Sequence, residues 1–142
     1  MKFSFYRFFT FILVFTLFSC QNSTSNGALS IFSNPKDDLI GEFSLREGGI
    51  VGLKITKEDG KYFASMLNGG KWSALYQLDD VKEEDYVKIF GDDWKSYVSA
   101  GIQGDGVGIF KVKKGHQYKN HTFNSGYFIL MSVLGGADIY KL

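Results

Sequence analysis

The chain has 142 residues, 16 of them basic and 15 acidic, for a formal net charge of +1 at pH 7. That near-balance excludes the basic footprint of a nucleic-acid binder. A single cysteine excludes an internal disulfide and every paired-cysteine redox motif, and the length suits one domain rather than two.

At the amino terminus, Lys2 and Arg7 precede an apolar run from Phe8 to Phe18, broken only by Thr10 and Thr16, and then Ser19 and Cys20 follow. A basic start, a short apolar stretch and a small residue at its end are the layout of a secretory signal peptide. The run is eleven residues long, too short for a spanning helix, which needs about 20. Its last residues, Leu17-Phe18-Ser19-Cys20, resemble the lipobox of bacterial lipoproteins, with a hydrophobic residue three places before the cysteine and a small one directly before it. Phe18 is bulkier than the residue usual at its place. The resemblance implies cleavage before Cys20, a diacylglyceryl group on its thiol and an acyl chain on the new amino terminus. These covalent lipids are the only non-protein groups expected, and no metal or other cofactor is. Two or three acyl chains hold a protein on a membrane almost permanently. The alternative, an ordinary thiol, gives no reason for the cysteine to stand at this boundary. Gln21, standing where an aspartate would signal inner-membrane retention, points to the outer membrane, facing the periplasm.

The chain then divides into a signal peptide at 1–19, a lipidated cysteine with a flexible tether at 20–38, and a single β-rich domain at 39–142. The tether, "QNSTSNGALSIFSNPKDD", is dominated by Ser, Asn, Gly and Asp and carries the only proline, Pro35. Within it Ala28 to Phe32 could form a short edge strand. After the leader, 14 basic side chains face 15 acidic ones.

Ile40 to Arg46 reads as a first strand, ended by Gly48-Gly49. Ile50 to Glu58 reads as a second, with Val51, Leu53 and Ile55 alternating against Lys54 and Thr56, the pattern of a half-buried strand. Asp59-Gly60 suits a two-residue hairpin turn. Lys61 to Leu67 returns, Asn68-Gly69-Gly70 turns again, and Lys71 to Leu78 places Trp72, Ala74, Tyr76 and Leu78 on one face.

Asp80 with Glu83 resembles a capping box ahead of a helix over Val81 to Phe90, stopped by Gly91. Asp92 suits the cap of a second short helix carrying Trp94, Tyr97 and Val98 on one face, with Gly101 as its stop. The rival reading makes Asp85 to Phe90 and Lys95 to Ile102 a hairpin, since Tyr, Val and Ile favour strands. Beyond the glycine-rich "GIQGDGVG", strands are expected over Val107 to Lys113, Tyr127 to Leu134 and Ala137 to Leu142, with Gly135-Gly136 turning the last pair. "YFILMSVL" suits a strand covered on both faces. The fold class expected is mainly β (α+β), an antiparallel meander of about seven strands curling into a small barrel or sandwich, with a short helical insertion.

Candidate chemistry is sparse. "GIQGDGVG" lacks the Gly-Lys-Ser/Thr ending of a phosphate loop and opens a strand where such a loop opens a helix, so a flexible turn is expected. The five carboxylates of "DDVKEED" lack the ordered spacing of a calcium loop and suit a helix N-terminus. His116 and His121 lie five apart without a third ligand nearby in sequence, so no metal site is expected. Together with Lys113, Lys114, Tyr118 and Lys119 they could instead form a contact patch for an acidic partner. Trp72, Tyr76, Trp94, Phe110 and Phe128 suit a core, and would line the wall of a ligand cavity if the sheet closes as in lipocalin-like barrels.

No nucleophile elbow and no carboxylate pair stands out, so an enzyme is disfavoured. Two functions remain. One is a lipid-anchored, non-catalytic module of the bacterial cell envelope that binds a protein, of inhibitor or immunity type. The other is a carrier of a small apolar ligand in a lipocalin-like barrel. Partners expected are the membrane, through the anchor, and an envelope protein or small apolar ligand; nucleic acid is not among them.

Overall fold

The computed structural model describes residues 34–104 and 106–142. The leader, Cys20, the tether up to residue 33 and Asp105 lie outside the described residues. Strands occupy Gly41–Ser44 (β1), Leu53–Glu58 (β2), Lys61–Asn68 (β3), Lys71–Trp72 (β4), Tyr76–Asp80 (β5), Val98–Gly104 (β6) and Val107–Val112 (β7). They continue as Gln117–Tyr118 (β8), His121–Thr122 (β9), Tyr127–Met131 (β10), Gly135–Asp138 (β11) and Tyr140–Lys141 (β12), and one α-helix, α1, spans Glu83–Phe90. The protein is mainly antiparallel β, as its alternation and turns predict.

The main sheet runs β11-β10-β7-β6-β5-β3-β2-β1-β12, with β4 attached to β3 alone. Only Ile139 separates β11 from β12, yet β11 pairs with β10 and β12 with β1. The last segment therefore bridges the two ends of the meander and carries the sheet almost round into a barrel, which leaves little unpaired edge.

Register decides which side chains face inward. The ladder sets Leu53 against Met66, Ile55 against Ala64, Ile102 against Ile109 and Ile109 against Ile129. Apart from the half-buried Met66, which packs against them, these residues form one buried core with Phe43, Leu78 and Ile139, all at most 2% exposed. Each large aliphatic side chain so buried contributes about 1.5–3 kcal/mol, and together they fill the middle of the barrel. A second core lies on the outer wall, where Tyr86 and Phe90 of α1 pack with Tyr97, Val98, Phe110, Val112, Phe123 and Phe128. A bulge at Val98/Ala100 shifts the register there, which lets Val98 join the outer core while Ala100 stays in the inner one.

Several sequence expectations are corrected. The helix over 81–90 is present but begins at Glu83; Asp80, the expected cap, is still the last residue of β5, and the N-cap is Lys82, whose side chain has no acceptor and makes no cap bond. The second helix is one 3-10 turn, Trp94–Ser96, and Gly101 sits inside β6 rather than stopping a helix. The Lys71–Leu78 strand breaks at 73–75, where the Ser73 hydroxyl accepts from the Met66 N–H. Gly135 and Gly136 are paired residues of β11, opposite Met131 and Leu130, so the turn falls at 132–134. The tether also ends earlier than expected, because Pro35–Leu39 forms a 3-10 helix whose Leu39 is fully buried.

Candidate functional site

In an antiparallel meander, alternate connections emerge at the same end. The Pro35–Leu39 helix leads into β1 and closes the end that also bears the β2–β3 turn. Several polar side chains from the strands at this end meet the plug. Lys57 Nζ and the Tyr62 hydroxyl both donate to Asp37 at 2.7 Å, Lys36 pairs with Asp80 at 2.6 Å, and Lys111 pairs with Asp38. Lys141 Nζ donates to the Asp38 carbonyl at 2.8 Å. The hydrogen bonds from Lys57 and Tyr62 hold the Asp37 carboxyl below the usual range. The same bond raises Lys57, whereas burial is the main cause that raises Tyr62.

The opposite end bears the loops β1–β2, β3–β5, β6–β7 and β10–β11, and it is open. A groove of about 620 Å³ enters it, lined among others by Met66, Tyr76, Val107, Met131, Val133 and Leu134. Its surroundings are unusually greasy. Val133 is 90% exposed, Ile50 81% and Leu134 77%, and Leu45, Trp72 and Leu75 are also exposed on loops or short strands of this end. Of the large exposed hydrophobic side chains among the described residues, only Val87 and Leu142 lie elsewhere. Apolar side chains scattered singly need no explanation, but six at one end of a barrel form a patch.

The five candidate wall residues do not meet in one chamber. Tyr76 lines the open mouth and Trp72 stands at its rim, with Lys54 over its ring at 5.4 Å. Phe110 and Phe128 face the other way, buried opposite each other in the outer core. Trp94 stacks on Tyr86 with centroids 4.0 Å apart. Alternation marked these residues as apolar, but only the barrel's closure determines which face is inside.

The loop of contact candidates is anchored more than its polarity suggests. His116 stacks on Tyr97 at 4.0 Å, Tyr118 packs against the outer core, and Lys119 lies over the Tyr118 ring at 4.9 Å. Lys113, Lys114 and Lys119 remain exposed. His121 Nε2 lies 3.5 Å from Oδ1 of the buried Asp138, a pairing that sequence could not reveal, because seventeen positions separate the two residues. Among the described residues no group of three or more His, Cys, Asp or Glu side chains could hold a metal ion, and no helix is long and apolar enough to cross a membrane.

Searches against protein-family models, curated proteins and solved structures found no match to this chain.

Proposed function

We propose that the protein is a lipid-anchored, non-catalytic module of the bacterial cell envelope that binds a partner protein through the open end of its barrel. The observation that carries this reading is the set of six exposed apolar side chains around the mouth, at the end opposite the one where the chain enters. Cys20, the proposed site of the diacylglyceryl and N-acyl chains, precedes Asn34 by fourteen residues, a reach of at most roughly 50 Å when extended. Such an anchor would hold the domain within that reach of the outer membrane, facing the periplasm. An apolar patch on an otherwise charged surface is the usual mark of a protein interface.

The filled middle of the barrel favours this reading over the carrier of a small apolar ligand, because buried side chains occupy the interior that a lipocalin-like carrier would need. An inhibitor or immunity role fits a module whose contact surface is built from loops on a rigid scaffold. The test is native mass spectrometry of the protein recovered from its own host's envelope. The wild-type chain should carry a partner protein's mass; Val133→Ser/Leu134→Ser should lose it, while Val87→Ser on α1 should keep it. Retention by the double variant would remove the mouth as the docking face, and a small organic-extractable mass in place of a protein would favour the carrier.

A further inference from the structure

On the outer wall, a second cavity of about 370 Å³ opens between α1 and the β8–β9 hairpin. Its floor is apolar and its lining includes Ile89, Phe90, Phe128 and Leu130, while Lys119 and His121 stand among its polar residues. Beneath His121 lies Asp138, 9% exposed, whose Oδ2 accepts from the Asn124 N–H at 3.1 Å and from Asn124 Nδ2 at 3.3 Å. Its other oxygen, Oδ1, and His121 Nε2 are both buried without a hydrogen-bond partner and face one another at 3.5 Å. A pair held at that separation is not closed, and a buried carboxylate oxygen left so is costly.

We propose that this cavity binds a small amphipathic anion, an aromatic or branched aliphatic monocarboxylate. The floor takes the apolar body against Phe90, Phe128 and Leu130. His121 lines the cavity beside Lys119, with its Nε2 edge turned to Asp138. Charge supports the choice of an anion. Lys119 is a cation among the residues that line the cavity and none of those residues is a carboxylate, so the lining attracts an anion and offers an amine no counter-charge. Carboxylate bonds to charged donors are the stronger kind. Gly136 also lines the cavity, and a Cβ placed on it would run into the Phe128 ring, so the glycine lets that ring lie flat as part of the floor.

Residues 34–142 supply both cores and the whole barrel, so a chain beginning at Gln21 contains the site. Its NMR spectrum would be titrated with phenylacetate, with neutral phenylacetamide and with phenethylamine. Phenylacetate should give saturable shifts at Ile89, His121 and Leu130, at least tenfold tighter than either analogue. Lys119→Met, a change at an exposed side chain that leaves both cores untouched, should weaken it about tenfold, as should His121→Gln. Equal response to all three probes, no saturation, unchanged affinity in the Lys119 variant, or shifts confined to Met66 and Met131 at the barrel mouth would each overturn the proposal.

Discussion

Gly101 and Gly108 lie on neighbouring strands against the Phe110 ring, and a Cβ built at either would stand 2.8 Å from a ring carbon. Two glycines of the stretch that sequence reads as a turn are thus strand residues of β6 and β7 that seat an aromatic ring. Composition shows the glycines but not the ring, because Phe110 reaches them through side-chain packing on the sheet's outer face. Gly108→Ala should destabilise by about 1–3 kcal/mol through overpacking. Gly52→Ala, where the new carbon meets only Leu45 at 3.6 Å, should change stability by no more than about 0.5 kcal/mol. Urea unfolding of the two variants checks this, and equal losses would contradict the seat. Two tyrosines make a further residue-scale statement. Burial, with Asp80 nearby, pushes Tyr86 up to about 12; burial, with Asp93 and Tyr118, pushes Tyr97 up to about 12. The folded chain therefore keeps these protons after the unfolded chain has released them near the ordinary value of 10.0. Their contribution is complete below pH 10 and is lost as the pH rises from 10 towards 12. Thermal melts should be flat in this respect to about pH 9.5 and fall steeply above 10, less steeply in Tyr86→Phe.

The element least visible in sequence is the Pro35–Leu39 plug. Its surroundings are polar, and only Leu39 betrays burial, so the segment reads as tether. What makes it part of the fold is distant: Lys57, Tyr62, Lys111 and Lys141 come from four different strands to meet Asp37 and Asp38. Leu39→Ala should cost about 2–5 kcal/mol, the range for emptying a fully buried aliphatic site, and should speed amide hydrogen exchange at Ile40, whose N–H donates to the Asp37 carbonyl. Unchanged stability would show that the plug is a loose end. The first three strands and α1 were legible because alternation, Asp59-Gly60 and helical spacing agree locally, whereas the expected Lys71–Leu78 strand is broken at 73–75. The segment after Gly91 was not, since its apolar residues suit either period and a bulge at Val98/Ala100 blurs the alternation.

For the whole molecule, sequence predicts a curling antiparallel meander, and the sheet's near-closure through the 135–141 segment completes it. Closure has two consequences that no local pattern contains. It divides the apolar residues between an inner and an outer core, placing Phe110 and Phe128 on the outer wall and Tyr76 at the mouth. It also gathers Ile50, Trp72, Leu75, Val133 and Leu134, spread over 85 residues of chain, at one end. In sequence, Val133 and Leu134 read as the tail of a buried strand, and Ile50 as the start of another. Exposed as they are, they define the surface through which we propose that the protein grips its partner.

The most direct measurement is site-specific photo-crosslinking in the native host, with a photoreactive side chain placed in turn at Ile50, Val133 and Val87. Cross-links to one and the same envelope protein from Ile50 and Val133, and none from Val87, are the predicted result. Cross-links from Val87 alone, or an equal spread of products from all three positions, would contradict a docking face at the open end of the barrel.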